Sequence, residues 1–134
     1  MRKLKFPKES RLLKNEQFRT VLNRRVTASD GLLIIFACEN QCGYPRLGIS
    51  ISKSVGSALC RNRFKRLIRE AWRLNQQQIP QGCDYLIMAS ARFSQMVEIE
   101  SGKQAVKKLT LEQVQKSLLG LIKEIGQSGR IKLE

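Results

Sequence analysis

Arg61, Arg63, Lys65, Arg66, Arg69 and Arg73 put six cations into one short stretch that Glu70 alone interrupts with an acid. Guanidinium groups in such number suit one kind of chemistry, bidentate hydrogen bonding to phosphate. Cys60, Phe64, Leu67, Ile68 and Ala71 recur among them at three- and four-residue spacing. On a helix those apolar positions share a stripe of about 100°. Lys65, Arg66, Arg69 and Arg73 then point away from the stripe, with Arg61 and Arg63 on its two edges. A merely solvated helix face normally mixes charge signs. This face is almost wholly positive, so contact with nucleic acid is the expected use.

The residues needed for hydrolysis are missing. A metal-dependent nuclease needs clustered carboxylates to hold divalent ions, yet Asp30 and Asp84 are the only aspartates and the glutamates are scattered. A metal-free ribonuclease typically uses histidine as acid and base, and the chain has none. No catalytic residue is expected. Cys38, Cys42, Cys60 and Cys83 include one close pair and no second, so free thiols are expected rather than a zinc site or a disulfide framework.

Charge narrows the partner. With 25 Lys and Arg against 11 Asp and Glu, the 134-residue chain carries +14 and a pI near 10.3. Self-repulsion of that size disfavours a compact state unless a polyanion neutralises it. No apolar run approaches the ~20 residues of a membrane-spanning helix. The basic start, Met1–Pro7, lacks the hydrophobic region of a signal peptide, and a cytoplasmic protein is expected.

The elements that must position these residues follow from periodicity. Residues 1–14 are basic and predicted irregular. Asn15 is the expected cap of a helix over 16–24, with Phe18, Val21 and Leu22 on one side. Leu32 to Ala37 is a short apolar run, predicted as a strand. After the turn at Gly43-Tyr44-Pro45, Arg46 to Ser52 alternates Leu47, Ile49 and Ile51 against Gly48, Ser50 and Ser52. These two strands are expected to pair as an antiparallel hairpin. The basic helix runs over 57–75, a strand over 84–90, and a last helix over 111–126, opened by a capping box of Thr110 and Gln113 and ended by Gly126 and Gly129. Residues 91–109 have no clear assignment. One α+β domain is expected over 1–134, a two-layer α/β sandwich in the order helix, strands, helix, strand, helix. Gly48, Ser50 and Ser52 would leave one strand face flat enough for a nucleic-acid backbone. Phe18 and Phe36 offer rings for stacking unpaired bases, with core packing as the alternative for each. Arg11 and Arg19 add charge beside them. Trp72 is expected in the core.

The segment Pro45-Arg46-Leu47-Gly48-Ile49-Ser50-Ile51-Ser52-Lys53, then Val55-Gly56, then Arg61-Asn62-Arg63-Phe64-Lys65-Arg66-Leu67-Ile68-Arg69-Glu70-Ala71, resembles the bacterial ribonuclease P protein subunit. The likeness extends upstream to Phe6-Pro7-Lys8-Glu9, Arg11-Leu12-Leu13 and Phe18, and downstream to the 84–90 strand, about three quarters of the chain. Two departures are Leu22, where many members carry a second aromatic, and Ser54, where many carry a second lysine.

The resemblance implies a protein that joins a large catalytic RNA, the complex removing the 5′ leader of precursor tRNA. It implies that Lys53, Arg61, Asn62, Arg63, Lys65, Arg66 and Arg69 meet the catalytic RNA. Arg11, Phe18, Arg19, Phe36, Arg46 and Ser50 would line a leader cleft between the first helix and the sheet. Magnesium would serve the holoenzyme through the RNA, with no cofactor on the chain and no obligate protein partner. The family fold has a left-handed βαβ crossover around the basic helix, where spacing alone predicts the common right-handed form. Two other classes share the charge and the basic helix, a structural ribonucleoprotein component and a DNA-binding regulator, although no helix precedes residues 57–75 to complete a helix-turn-helix.

Overall fold

The run Tyr85-Leu86-Ile87 has no polar position to leave in water, which suits a strand covered on both faces. A computed structural model describes residues 11, 12, 14–100 and 102–131. Among these residues the sheet has four strands: β1 (Val26–Ser29), β2 (Leu33–Glu39), β3 (Arg46–Ser50) and β4 (Cys83–Ala89). Their spatial order is β1-β2-β4-β3, with β4 antiparallel to β2 and parallel to β3. The helices are α1 (Asn15–Arg24), α2 (Ala58–Leu74), α3 (Ala91–Glu100), α4 (Gly102–Lys108) and α5 (Leu111–Gln127). The α+β class holds, and β3, α2 and β4 make a βαβ unit.

The expected hairpin of β2 with β3 does not form. Apolar on both faces, β4 needs a paired neighbour on each edge and enters between them. The connecting loop turns toward β4: Asn40 N–H donates to Gly82 O at 2.7 Å, and its side-chain amide donates to Asp84 at 2.7 Å. Edge strand β1, only four residues long, escaped prediction.

Cross-strand register sorts the side chains. Leu33, Ile35, Ala37, Leu47, Tyr85 and Ile87 join one buried cluster with Phe64, Ile68, Ala71 and Trp72 of α2 and Val114, Leu118, Leu121 and Ile122 of α5. Trp72 meets Tyr85 edge-on at 5.6 Å, so it belongs to the core as expected. The opposite face carries a second, smaller cluster, in which Leu12, Phe18, Val21 and Leu22 cover Phe36, Cys38, Leu86 and Met88. The sheet is therefore covered on both sides, by α1 on one and by the larger helical layer on the other. The two-layer description holds for the larger helical layer and the sheet.

Local signals account for most helix ends. Ser57 caps α2 by accepting from Cys60 N–H. Thr110 and Gln113 exchange both bonds of the expected capping box, at 3.2 and 2.9 Å. Asn15 is the first residue of α1 rather than its cap, which is Lys14; Lys14 N–H donates to the Gln17 side chain. α5 continues through Gly126 to Gln127. The unassigned stretch 91–109 becomes α3 and α4. The irregular segment expected over 1–14 lies outside the described residues apart from Arg11, Leu12 and Lys14. Arg11 makes a parallel bridge to Leu47, which brings this approach alongside β3.

Candidate nucleic-acid interface

On α2 the apolar stripe turns inward as its spacing demands: Cys60, Phe64, Ile68 and Ala71 are buried and Leu67 is partly so. The opposite side presents Asn62, Arg66 and Arg69 to solvent, with Lys65 half-exposed. Lys53 is exposed in the 3-10 turn Lys53–Val55 that leads toward the helix. Among the described residues, Lys53, Lys65, Arg66 and Arg69 have no ion pair or side-chain hydrogen bond. Farther along, Arg73 is tied to Glu70, whose carboxyl is held below its usual pKa by those hydrogen bonds.

The two edges of the stripe differ from the expectation of two open cations. Arg63 turns onto the end of α4, its Nε donating to Val106 O at 3.2 Å and its Nη2 to Leu109 O at 3.2 Å and Lys107 O at 3.5 Å. It thus donates to carbonyls at and just past a helix C-terminus, where Val106 O accepts from Leu109 N–H as well. Arg61 is half-buried, and its Nε is enclosed without a hydrogen-bond partner. Spacing could place both at the rim but could not reveal that a second helix ends against Arg63.

The other candidate face lies under α1. Three cross-strand rows build it: Ser29, Ile34, Met88 and Ser50; Thr27, Phe36, Leu86 and Gly48; and Cys38, Asp84 and Arg46. Phe36 lies on the α1 side of the sheet, partly buried against the small cluster of Leu12, Val21 and Leu86. Phe18 projects from α1 onto β3. A Cβ built on Gly48 would lie 2.5 Å from Phe18 Cε1 and 3.0 Å from Leu12 Cβ. The small residue at 48 therefore admits the Phe18 ring, not a nucleic-acid backbone as expected from the strand alone. Ser50, one pleat further along, remains exposed, and Ile34 and Met88 beside it are half-exposed. Sequence reading missed Ile34 and Met88, because alternation is invisible in a continuous apolar run.

Arg46 lies on this face but is committed to Asp84: Nε and Nη2 each donate at 2.7 Å, with the pair 20% and 8% exposed. Those bonds raise the arginine pKa above its usual value. Arg46 thus supports the loop that also carries Asn40, and its charge is largely cancelled. Arg11 and Arg19 are exposed, on the approach to β3 and on α1. Among the described residues no three Cys, Asp or Glu side chains converge to hold a metal ion, and no helix is long and apolar enough to cross a membrane.

Known proteins share this fold. The family model described as Ribonuclease P matches residues 6–126. The ribonuclease P protein component of Clostridium botulinum (strain Loch Maree / Type A3) is 42% identical over 97 residues, 70% of this chain and 87% of that one. That of Brevibacillus brevis is 38% identical over 115 residues, 84% and 80% of the two chains. Among solved structures, the RNase P protein from Thermotoga maritima superposes with a TM-score of 0.71 at 26% identity, covering 85% of this chain and 96% of that one. A Staphylococcus aureus RNase P protein gives 0.67 at 28% identity, covering 86% and 94%. Matched along nearly its whole length in sequence and in fold, this chain belongs to the ribonuclease P protein family.

Proposed function

We propose that the chain binds the catalytic RNA of ribonuclease P through the outer face of α2. The α1 face of the sheet would hold the 5′ leader of precursor tRNA while the RNA cuts it. The cations Lys53, Lys65, Arg66 and Arg69 carry the first half of this reading, because among the described residues none of them has an ion pair or side-chain hydrogen bond. Asn62 stands on the same side, between Arg66 and the helix start. For the leader, Phe18 and Phe36 supply half-exposed ring surface, and Ser50 supplies a polar edge. Unpaired bases stack on such rings without strict sequence demands. Magnesium acts through the RNA, a reading supported by the lack of a carboxylate cluster among the described residues.

Reconstitution tests the assignment. Protein alone with magnesium should leave precursor tRNA intact. Adding the catalytic RNA should produce leader cleavage whose dependence on protein is greatest at low magnesium, where protein cations replace part of the divalent screening. Cleavage by RNA-free protein would overturn it.

A further inference from the structure

Leu59, in the first turn of α2, is 79% exposed. The other large apolar side chains that reach solvent among the described residues, Tyr44, Leu74 and Met96, are 38%, 41% and 42% exposed. Leu59 does not serve the core. The buried stripe of Cys60, Phe64, Ile68 and Ala71 lies about 120° round the helix from it. Three and seven residues on, Asn62 and Arg66 are exposed along the same ridge as Leu59. Asn62 makes no side-chain hydrogen bond among the described residues. The outer face of α2 is therefore divided along its length. Its first turns present an apolar side chain and a neutral amide, and the cations Lys65, Arg66 and Arg69 follow.

We infer that Leu59 packs on the face of an unstacked base of the catalytic RNA, with the Asn62 amide at the edge of that base. Charge decides what covers the leucine. Lys53 before the helix and Arg66 on the same ridge are exposed, and the whole chain carries +14. Such a surface repels a second copy of itself and draws a polyanion. Within an RNA the phosphates and hydroxyls offer a leucine nothing. Its apolar surface is the faces of the bases, and stacking hides these except where a base is splayed out of the helix. An amide both donates and accepts, so Asn62 can pair with the mixed donors and acceptors of a base edge. The inference rests on the reading of α2 as the face that meets the catalytic RNA. It adds to that reading a contact that carries no charge, made by a residue outside the cationic set.

Binding of the full chain to the catalytic RNA, measured over a salt series, separates the two kinds of contact. An uncharged contact releases no counterions. Leu59→Ala should therefore weaken binding about tenfold at every salt concentration and leave the log–log slope unchanged. Leu59→Met, apolar and of similar size, should restore affinity to within about twofold of the wild type. Urea unfolding should not change with Leu59→Ala, because the side chain covers nothing in the fold. Chemical probing of unpaired bases should show a position in the RNA that the wild type and Leu59→Met protect and Leu59→Ala leaves open. Wild-type affinity of Leu59→Ala, a loss accompanied by a flatter slope, earlier unfolding, or unchanged base reactivity would each overturn the inference. So would a Leu59→Ala effect confined to self-association in sedimentation, which would assign the leucine to a second copy of the chain. The α2 reading fails separately, if Arg66→Ala with Arg69→Ala leaves both the affinity and its salt slope intact.

Discussion

Replacing Gly48 by alanine should displace Phe18 without touching it chemically. The new Cβ would sit 2.5 Å from Phe18 Cε1, whereas carbon atoms rest about 3.5–4.0 Å apart. The ring must therefore retreat by about 1 Å or more. Leu12 cannot absorb the strain easily. Its Cβ and Cδ1 would lie 3.0 and 3.1 Å away, and its N–H is bonded to Leu47 O at 2.9 Å on the same strand. Overpacking of this kind costs ~1–3 kcal/mol. Phe18→Ala alone should cost about 2 kcal/mol, below the 3–5 of a fully buried ring because Phe18 is half-exposed. In the double mutant the main clash has no partner, so the combined loss should fall short of the sum by about 1 kcal/mol. Urea unfolding of the wild type, both singles and the double measures the cycle. Function should follow the ring: each single mutant should lose affinity for precursor tRNA with a leader and keep its affinity for leaderless tRNA. For Phe18→Ala the loss should be ~1–3 kcal/mol, one stacked base. Strict additivity in the cycle, or an alanine at 48 that changes neither stability nor leader binding, would refute the placement of Phe18 on β3.

Arg66→Ala and Arg69→Ala should each lower the log–log salt slope of catalytic-RNA binding by about one and leave unfolding unchanged, since neither side chain has a partner among the described residues; filter binding across a salt series reads this. Arg63→Ala should behave differently, costing ~1–3 kcal/mol of stability by removing the side-chain donor to Lys107 O and Leu109 O and one of the two donors to Val106 O. Amide exchange over 105–109 should rise selectively, and an intact protection pattern would show that α4 docks without it. Arg46→Ala should cost ~3–5 kcal/mol by leaving Asp84 buried and unpaired, whereas pairing Arg46→Ala with Asp84→Asn should recover part of the loss in thermal unfolding.

Periodicity alone determined α1, α2 and α5 to within a residue or two, since each buries one stripe and its apolar residues recur at the helical period. The capping box of Thr110 and Gln113 was legible because it is a local exchange of two hydrogen bonds. Composition pointed to a polyanionic partner, since net charge does not depend on the fold. The Arg-Asn-Arg core with its basic tail carried the family. Strand pairing was beyond the sequence: β2 and β3 look like a hairpin until β4, arriving from beyond α2, takes the doubly covered place between them. The facing of Phe36, Ile34 and Met88 needed register, because a run apolar at every position has no readable period. Side-chain partners depend on residues distant in the chain. Arg46 and Arg63 read as free cations along the sequence, yet Asp84 lies 38 positions and Val106 43 positions away, and only tertiary packing brings them within hydrogen-bond reach.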